Sequence, residues 1–108
     1  MQGLWTIEFG SSTGRFGAGV VVFKEGRVMG GDSGYYYIGT YSLVGDEFSA
    51  KIDLVPFVPG IETVFNTLGH NVKLSLTGTL IDSEHATAQG SPVAMPHLKL
   101  GVKLTKRN

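Results

Sequence analysis

Val72-Lys73-Leu74-Ser75-Leu76-Thr77-Gly78-Thr79-Leu80 alternates apolar and polar side chains along nearly its whole length. Successive side chains of an extended chain point to opposite faces. A period of two therefore turns Val72, Leu74, Leu76 and Leu80 toward a core and leaves Lys73, Ser75, Thr77 and Thr79 to solvent. A strand with one dry and one wet face belongs to an antiparallel sheet, since parallel strands are buried on both sides.

Outward from this stretch the same rhythm recurs. Trp5, Ile7 and Phe9 alternate with Thr6 and Glu8, and Phe16 to Lys24 returns through Glu25-Gly26 into Arg27-Val28-Met29, the pattern of a hairpin. Beyond the Gly30–Gly34 break, Tyr35, Tyr37, Tyr41 and Leu43 share a face with Gly39, and Val44-Gly45-Asp46-Glu47 turns the chain. Phe48, Ala50, Ile52 and Leu54 then oppose Ser49, Lys51 and Asp53, until Pro56 and Pro59 end the strand. After Leu80, Asp82-Ser83 supplies a turn, His85 to Gln89 a short strand and Gly90 to Pro96 a loop. Leu98, Leu100, Val102 and Leu104 alternate to the end.

One segment breaks the pattern. Ile61, Val64, Phe65 and Leu68 stand at i, i+3, i+4 and i+7, with Pro59 before and Gly69 after, which predicts one short helix over 61–68. The rest makes about eight strands joined by tight turns, an all-β antiparallel up-and-down meander closed into a barrel rather than split into a sandwich. A barrel of about eight strands encloses an interior that side chains fill or that holds one small ligand.

A length of 108 residues supports one domain, 1–108, with one core. Nine Lys+Arg balance nine Asp+Glu, so the electrostatic footprint of a phosphate-backbone binder is missing and direct nucleic-acid binding is not expected. The basic trio Lys103, Lys106 and Arg107 reads as a solvated terminus. Without cysteine the fold has no disulfide and fits a reducing compartment, so the expected location is cytoplasmic. Neither a signal peptide nor a membrane span is expected: no basic segment precedes an apolar one at the start, and the apolar run Ala18–Phe23 is far below the roughly 20 residues a span needs.

Residues that could carry chemistry are few. Gly30-Gly31-Asp32-Ser33-Gly34 lacks the Gly-Lys-Ser/Thr of a P-loop and reads as a turn or bulge needing positive φ, with Asp32 capping local amides. Asp82, Glu84 and His85, with His70 and His97 elsewhere, contain metal-ligand types without a ligating spacing, and no metal or other cofactor is expected. With no cysteine, no Gly-x-Ser-x-Gly elbow and no motif joining serine to histidine, the expectation is a non-enzymatic protein. Tyr35-Tyr36-Tyr37 alternates sides, so Tyr36 faces away from the core. That ring is suited to an interface, though strand propensity accounts for it equally well.

Gly3-Leu4-Trp5 resembles the Gly-x-Trp start of lipocalins, in which the tryptophan plugs one end of the barrel. A lipocalin-like interior would place Trp5, Ile7, Phe9 and Tyr37 around a small apolar ligand, with the 61–68 segment over its mouth. A wider set of residues resembles the family of the type III secretion negative regulator GrlR, a small lipocalin-like barrel. The set comprises Gly3-Leu4-Trp5-Thr6-Ile7-Glu8-Phe9, Gly17-x-Gly19-Val20, the Glu25-Gly26 turn, the signature Gly30-Gly31-Asp32, then Tyr37-x-Gly39, an acidic hairpin tip and Val64-Phe65. The resemblance implies a cytoplasmic homodimer that represses by sequestering a transcriptional activator. The matching contact is the tip at Asp46 and Glu47, which carries two acids where the regulator has four.

Overall fold

The computed structural model describes residues 1–67 and 69–108. Eight strands form in chain order: β1 Gly3–Ser11, β2 Phe16–Lys24, β3 Arg27–Gly31, β4 Tyr35–Val44, β5 Glu47–Pro56, β6 Val72–Leu80, β7 His85–Pro92 and β8 Leu100–Lys106. Each pairs antiparallel with its sequence neighbours, and β1 pairs with β8 (Ile7 opposite Leu104) to close the barrel. Closure leaves no edge strand, so every strand finds a partner on both sides.

The turns follow their residues. Lys24 and Arg27 are joined by only Glu25 and Gly26, both at positive φ (51° and 80°), the backbone of a tight hairpin turn whose twist matches the strands it joins. The Glu25 amide donates to the Gln2 side chain at 2.7 Å. Alternation places Trp5, Ile7, Val21, Phe23, Val28, Tyr35, Tyr37, Phe48, Ala50, Ile52, Leu74, Leu76, Ala86, Ala88, Val102 and Leu104 inside, from all eight strands.

Two expectations about glycine and helix change. Gly30 and Gly31 lie within β3 and neither has positive φ. A Cβ on Gly30 would sit 2.1 Å from the Val20 carbonyl oxygen, and one on Gly39 would sit 2.0 Å from that of Lys51. Glycine stands at these positions because the strongly coiled strands of a narrow barrel approach too closely for a side chain. Asp32 does cap: its Oδ1 accepts from the amides of Gly34 and Tyr35, each at 2.9 Å.

The predicted helix over 61–68 does not form; among the described residues of this segment the chain makes turns and an isolated bridge at Glu62, and Leu68 lies outside the described residues. The Thr63 hydroxyl accepts from the amides of Phe65 and Thr67, and the Thr63 amide donates to the Thr67 carbonyl at 2.9 Å. Side-chain bonds of this kind compete with a helical ladder, and Asn66 at φ 63° reverses the backbone. The apolar spacing mistaken for a helical face comes from a loop folding Val64 and Phe65 onto the barrel. At the other end of the chain β7 runs on to Pro92 and β8 starts at Leu100, so Gly90 is strand and Leu98 precedes the last strand.

Candidate functional site

The barrel interior is not filled along its whole length. One end is dense with rings. Trp5 is fully buried, with its Nε1 donating to the Met1 carbonyl at 3.0 Å. Phe23 meets Trp5, Tyr41 and Phe48 edge-on, at centroid distances of 6.2, 5.1 and 6.5 Å. Edge-to-face arrangement lets the electropositive rim of one ring rest on the electronegative face of the next. This cluster plugs the barrel at the N-terminal end of β1.

Beyond the plug lies a cavity of about 210 Å³, walled by side chains such as Ile7, Phe9, Val21, Tyr37, Ile52 and Leu74. Small residues on the facing strands, Ala50 and Ala88, leave the room, and the segment from Ile61 to Phe65 crosses its far end as a lid. The lid is held from three sides. The hydroxyls of Ser11 and Thr13, in and just after β1, both donate to the Val64 carbonyl, the latter at 2.6 Å. The Tyr35 hydroxyl donates to the Ile61 carbonyl at 2.8 Å. Arg15 reaches Glu62 at 2.8 Å and Asn66 at 2.9 Å across the rim. Local sequence places these anchors: the Ser11–Phe16 turn and the start of β4 are the loops at the same end of an up-and-down barrel.

Where lid and wall meet, Asp32 and Tyr37 both line the cavity, and the Tyr37 hydroxyl donates to Asp32 Oδ2. Burial, then this bond to a carboxylate, then the negative charge itself, hold the Tyr37 phenol far above its ordinary range, so it stays protonated.

Of the residues the sequence nominated for a cavity, Ile7, Phe9 and Tyr37 line it. Trp5 does not; it lies in the plug, as the Gly-x-Trp start implies. Asp32, expected only as a turn cap, reaches into the cavity as well. The signal for that was its place directly after β3 in the short link to β4, which periodicity alone could not separate from an ordinary turn. Asp46 and Glu47 are exposed at the β4–β5 tip, at the plug end of the barrel and away from the lid. Tyr36 is exposed and lies 6.4 Å from Phe57, ring to ring. It belongs to an outward row that the register assembles: Leu4 opposes Val22, Val22 opposes Met29 and Met29 opposes Ile38. Val20 and Ile38 keep 47% and 43% of their surface exposed, so the outside of β1–β4 carries a contiguous apolar strip.

The titratable candidates stay at the surface. His85 Nδ1 lies 2.9 Å from Asp82, a contact that, after the Glu84 amide, lowers the Asp82 carboxyl below its usual range. Among the described residues no three His, Cys, Asp or Glu side chains converge on one point, and no helix is long and apolar enough to cross a membrane.

No protein-family model matches the chain, and no curated protein matches it. Among solved structures it is similar to a redesigned β-barrel, with a TM-score of 0.70 and 15% identity over 99% of this chain and 91% of that chain. At that identity the likeness is one of fold alone, and the fold is a closed, eight-stranded, antiparallel β-barrel.

Proposed function

We propose that this chain is a non-enzymatic binding protein whose barrel holds one small, largely apolar ligand. The observation that carries the reading is the cavity itself: about 210 Å³ of space, walled mainly by apolar side chains between a ring-packed plug and a tethered segment that partly covers its mouth. Interiors are ordinarily packed like organic crystals, and space of this size forfeits contacts unless something occupies it. A dry engineered cavity of about 150 Å³ holds benzene, so the present one accepts roughly eight non-hydrogen atoms. Native mass spectrometry of the purified protein tests this directly. Retention of a stoichiometric adduct, or uptake of toluene with a higher melting temperature, is expected; failure of both removes the reading.

A second reading rests on the outside. The apolar strip of Leu4, Val20, Val22, Met29, Tyr36 and Ile38 supports a protein interface, and the regulator resemblance supplies its kind: a cytoplasmic homodimer that captures an activator through Asp46 and Glu47. Under it, Ile38→Lys converts a dimer to a monomer in analytical ultracentrifugation. A wild-type chain that sediments as a monomer at high concentration rules the homodimer out.

A further inference from the structure

Two hydroxyl protons at the lid end of the cavity are already committed inside the protein. Tyr37 gives its proton to Asp32 and Tyr35 gives its proton to the Ile61 carbonyl. Thr63 Oγ1 accepts from two backbone amides and exchanges its own bond with the Thr67 hydroxyl at 2.6 Å. What Asp32 and Tyr37 offer an incoming molecule is acceptor capacity. The Tyr37 oxygen keeps its lone pairs. The Asp32 carboxylate has about four acceptor positions, of which Gly34, Tyr35 and Tyr37 occupy three.

Charge points the same way. Glu62 at the rim is matched by Arg15 at 2.8 Å, whereas among the described residues Asp32 has no ion-pair partner. The side of the lid end formed by Asp32 and Tyr37 is therefore acceptor-rich and negative, against walls that are otherwise apolar. A carboxylate brought against Asp32 meets like charge, and Tyr37 has no proton left to give it.

We propose that this end selects ligands by their polar head, taking an apolar body that ends in a hydrogen-bond donor, hydroxyl or ammonium, and rejecting one that ends in a carboxylate. The inference rests on the cavity being a ligand site and names the chemistry of what enters it. Asp32 and Tyr37 are the residues that read the head; Ile7, Phe9, Ile52 and Leu74 hold the body.

A matched set of ligands on one ring tests it by calorimetric titration of the intact chain at pH 7: toluene without a head, benzyl alcohol, benzylamine and benzoate. Benzyl alcohol and benzylamine are expected to bind at least tenfold more tightly than benzoate and more tightly than toluene, and the benzylamine arm separates a cationic preference from a plain donor preference. Asp32→Asn keeps the oxygen that caps Gly34 and Tyr35 but removes the charge and adds a donor, so benzoate should gain at least tenfold relative to benzylamine. Benzoate as the tightest ligand of the wild-type chain, or toluene equal to the two donors, would overturn head selection while leaving the cavity as a ligand site. Binding of none of the four, toluene included, would overturn both, and the wild-type ranking decides even where Asp32→Asn fails to fold.

Discussion

Filling the cavity from its wall should make the protein more stable and less able to bind. Ala88 is buried, faces inward on β7 and lines the void. Ala88→Val adds two carbons on a strand, where a β-branched side chain is favoured. At about 0.8 kcal/mol per buried carbon, the transfer gain is about 1.6 kcal/mol before any packing strain. Urea unfolding should show a higher midpoint at unchanged slope, equivalent to about 1 kcal/mol after strain, which for a domain of this size is roughly 4 °C or more in melting temperature. Affinity for toluene should fall in the same variant, because the added methyls occupy the space the ring would take. The reasoning fails if Ala88→Val destabilises by 1 kcal/mol or more with toluene binding untouched. That result would mean the wall is already tightly packed at this point, since overpacking a filled core costs about 1–3 kcal/mol.

Tyr37 gives a pH test. Its phenol is held above the value of about 10 that tyrosine has in an unfolded chain, so the native state retains a proton that the unfolded state releases. Stability is then fully present below pH of about 10 and declines as pH rises beyond it. Urea midpoints across the alkaline range should fall less steeply in Tyr37→Phe, which in turn should lose about 1–2 kcal/mol at neutral pH by leaving Asp32 short of a donor. Equal alkaline slopes would show that Tyr37 is not the group responsible. Gly39→Ala should cost about 1–3 kcal/mol, because the new methyl would meet the Lys51 carbonyl oxygen at 2.0 Å. A wild-type melting temperature for that variant would mean that β4 and β5 separate there at little cost.

Much of the architecture was legible in the pattern of side chains. Alternation at Val72–Leu80 and at Trp5–Phe9, the Glu25-Gly26 turn and the tips after Val44 and Leu80 are local features, each satisfied by a few neighbouring residues. They led to eight strands, and a closed meander is the simplest way for such strands to bury one face. The helix over 61–68 failed for the complementary reason. Apolar residues three and four apart serve a helix face or a loop folded onto a core equally well, and the choice was made by bonds that exist only once the barrel has formed: Val64 to Ser11 and Thr13, Ile61 to Tyr35.

The sequence by itself determined which side chains face inward, because the period of two is a property of the extended backbone and needs no partner. It could not determine what the inward residues enclose. Whether Ala50 and Ala88 leave a void, and whether Gly30 is a turn residue or, like Gly39, a point of contact between coiled strands, depends on how the strands close together, which appears only with the pairing of β1 against β8. The pairing of Asp32 with Tyr37 is of the same kind. Five positions separate them in the chain, but their meeting at the lid end follows from the bend between β3 and β4, and their acceptor-rich setting follows from the segment that tertiary structure draws across that end of the barrel.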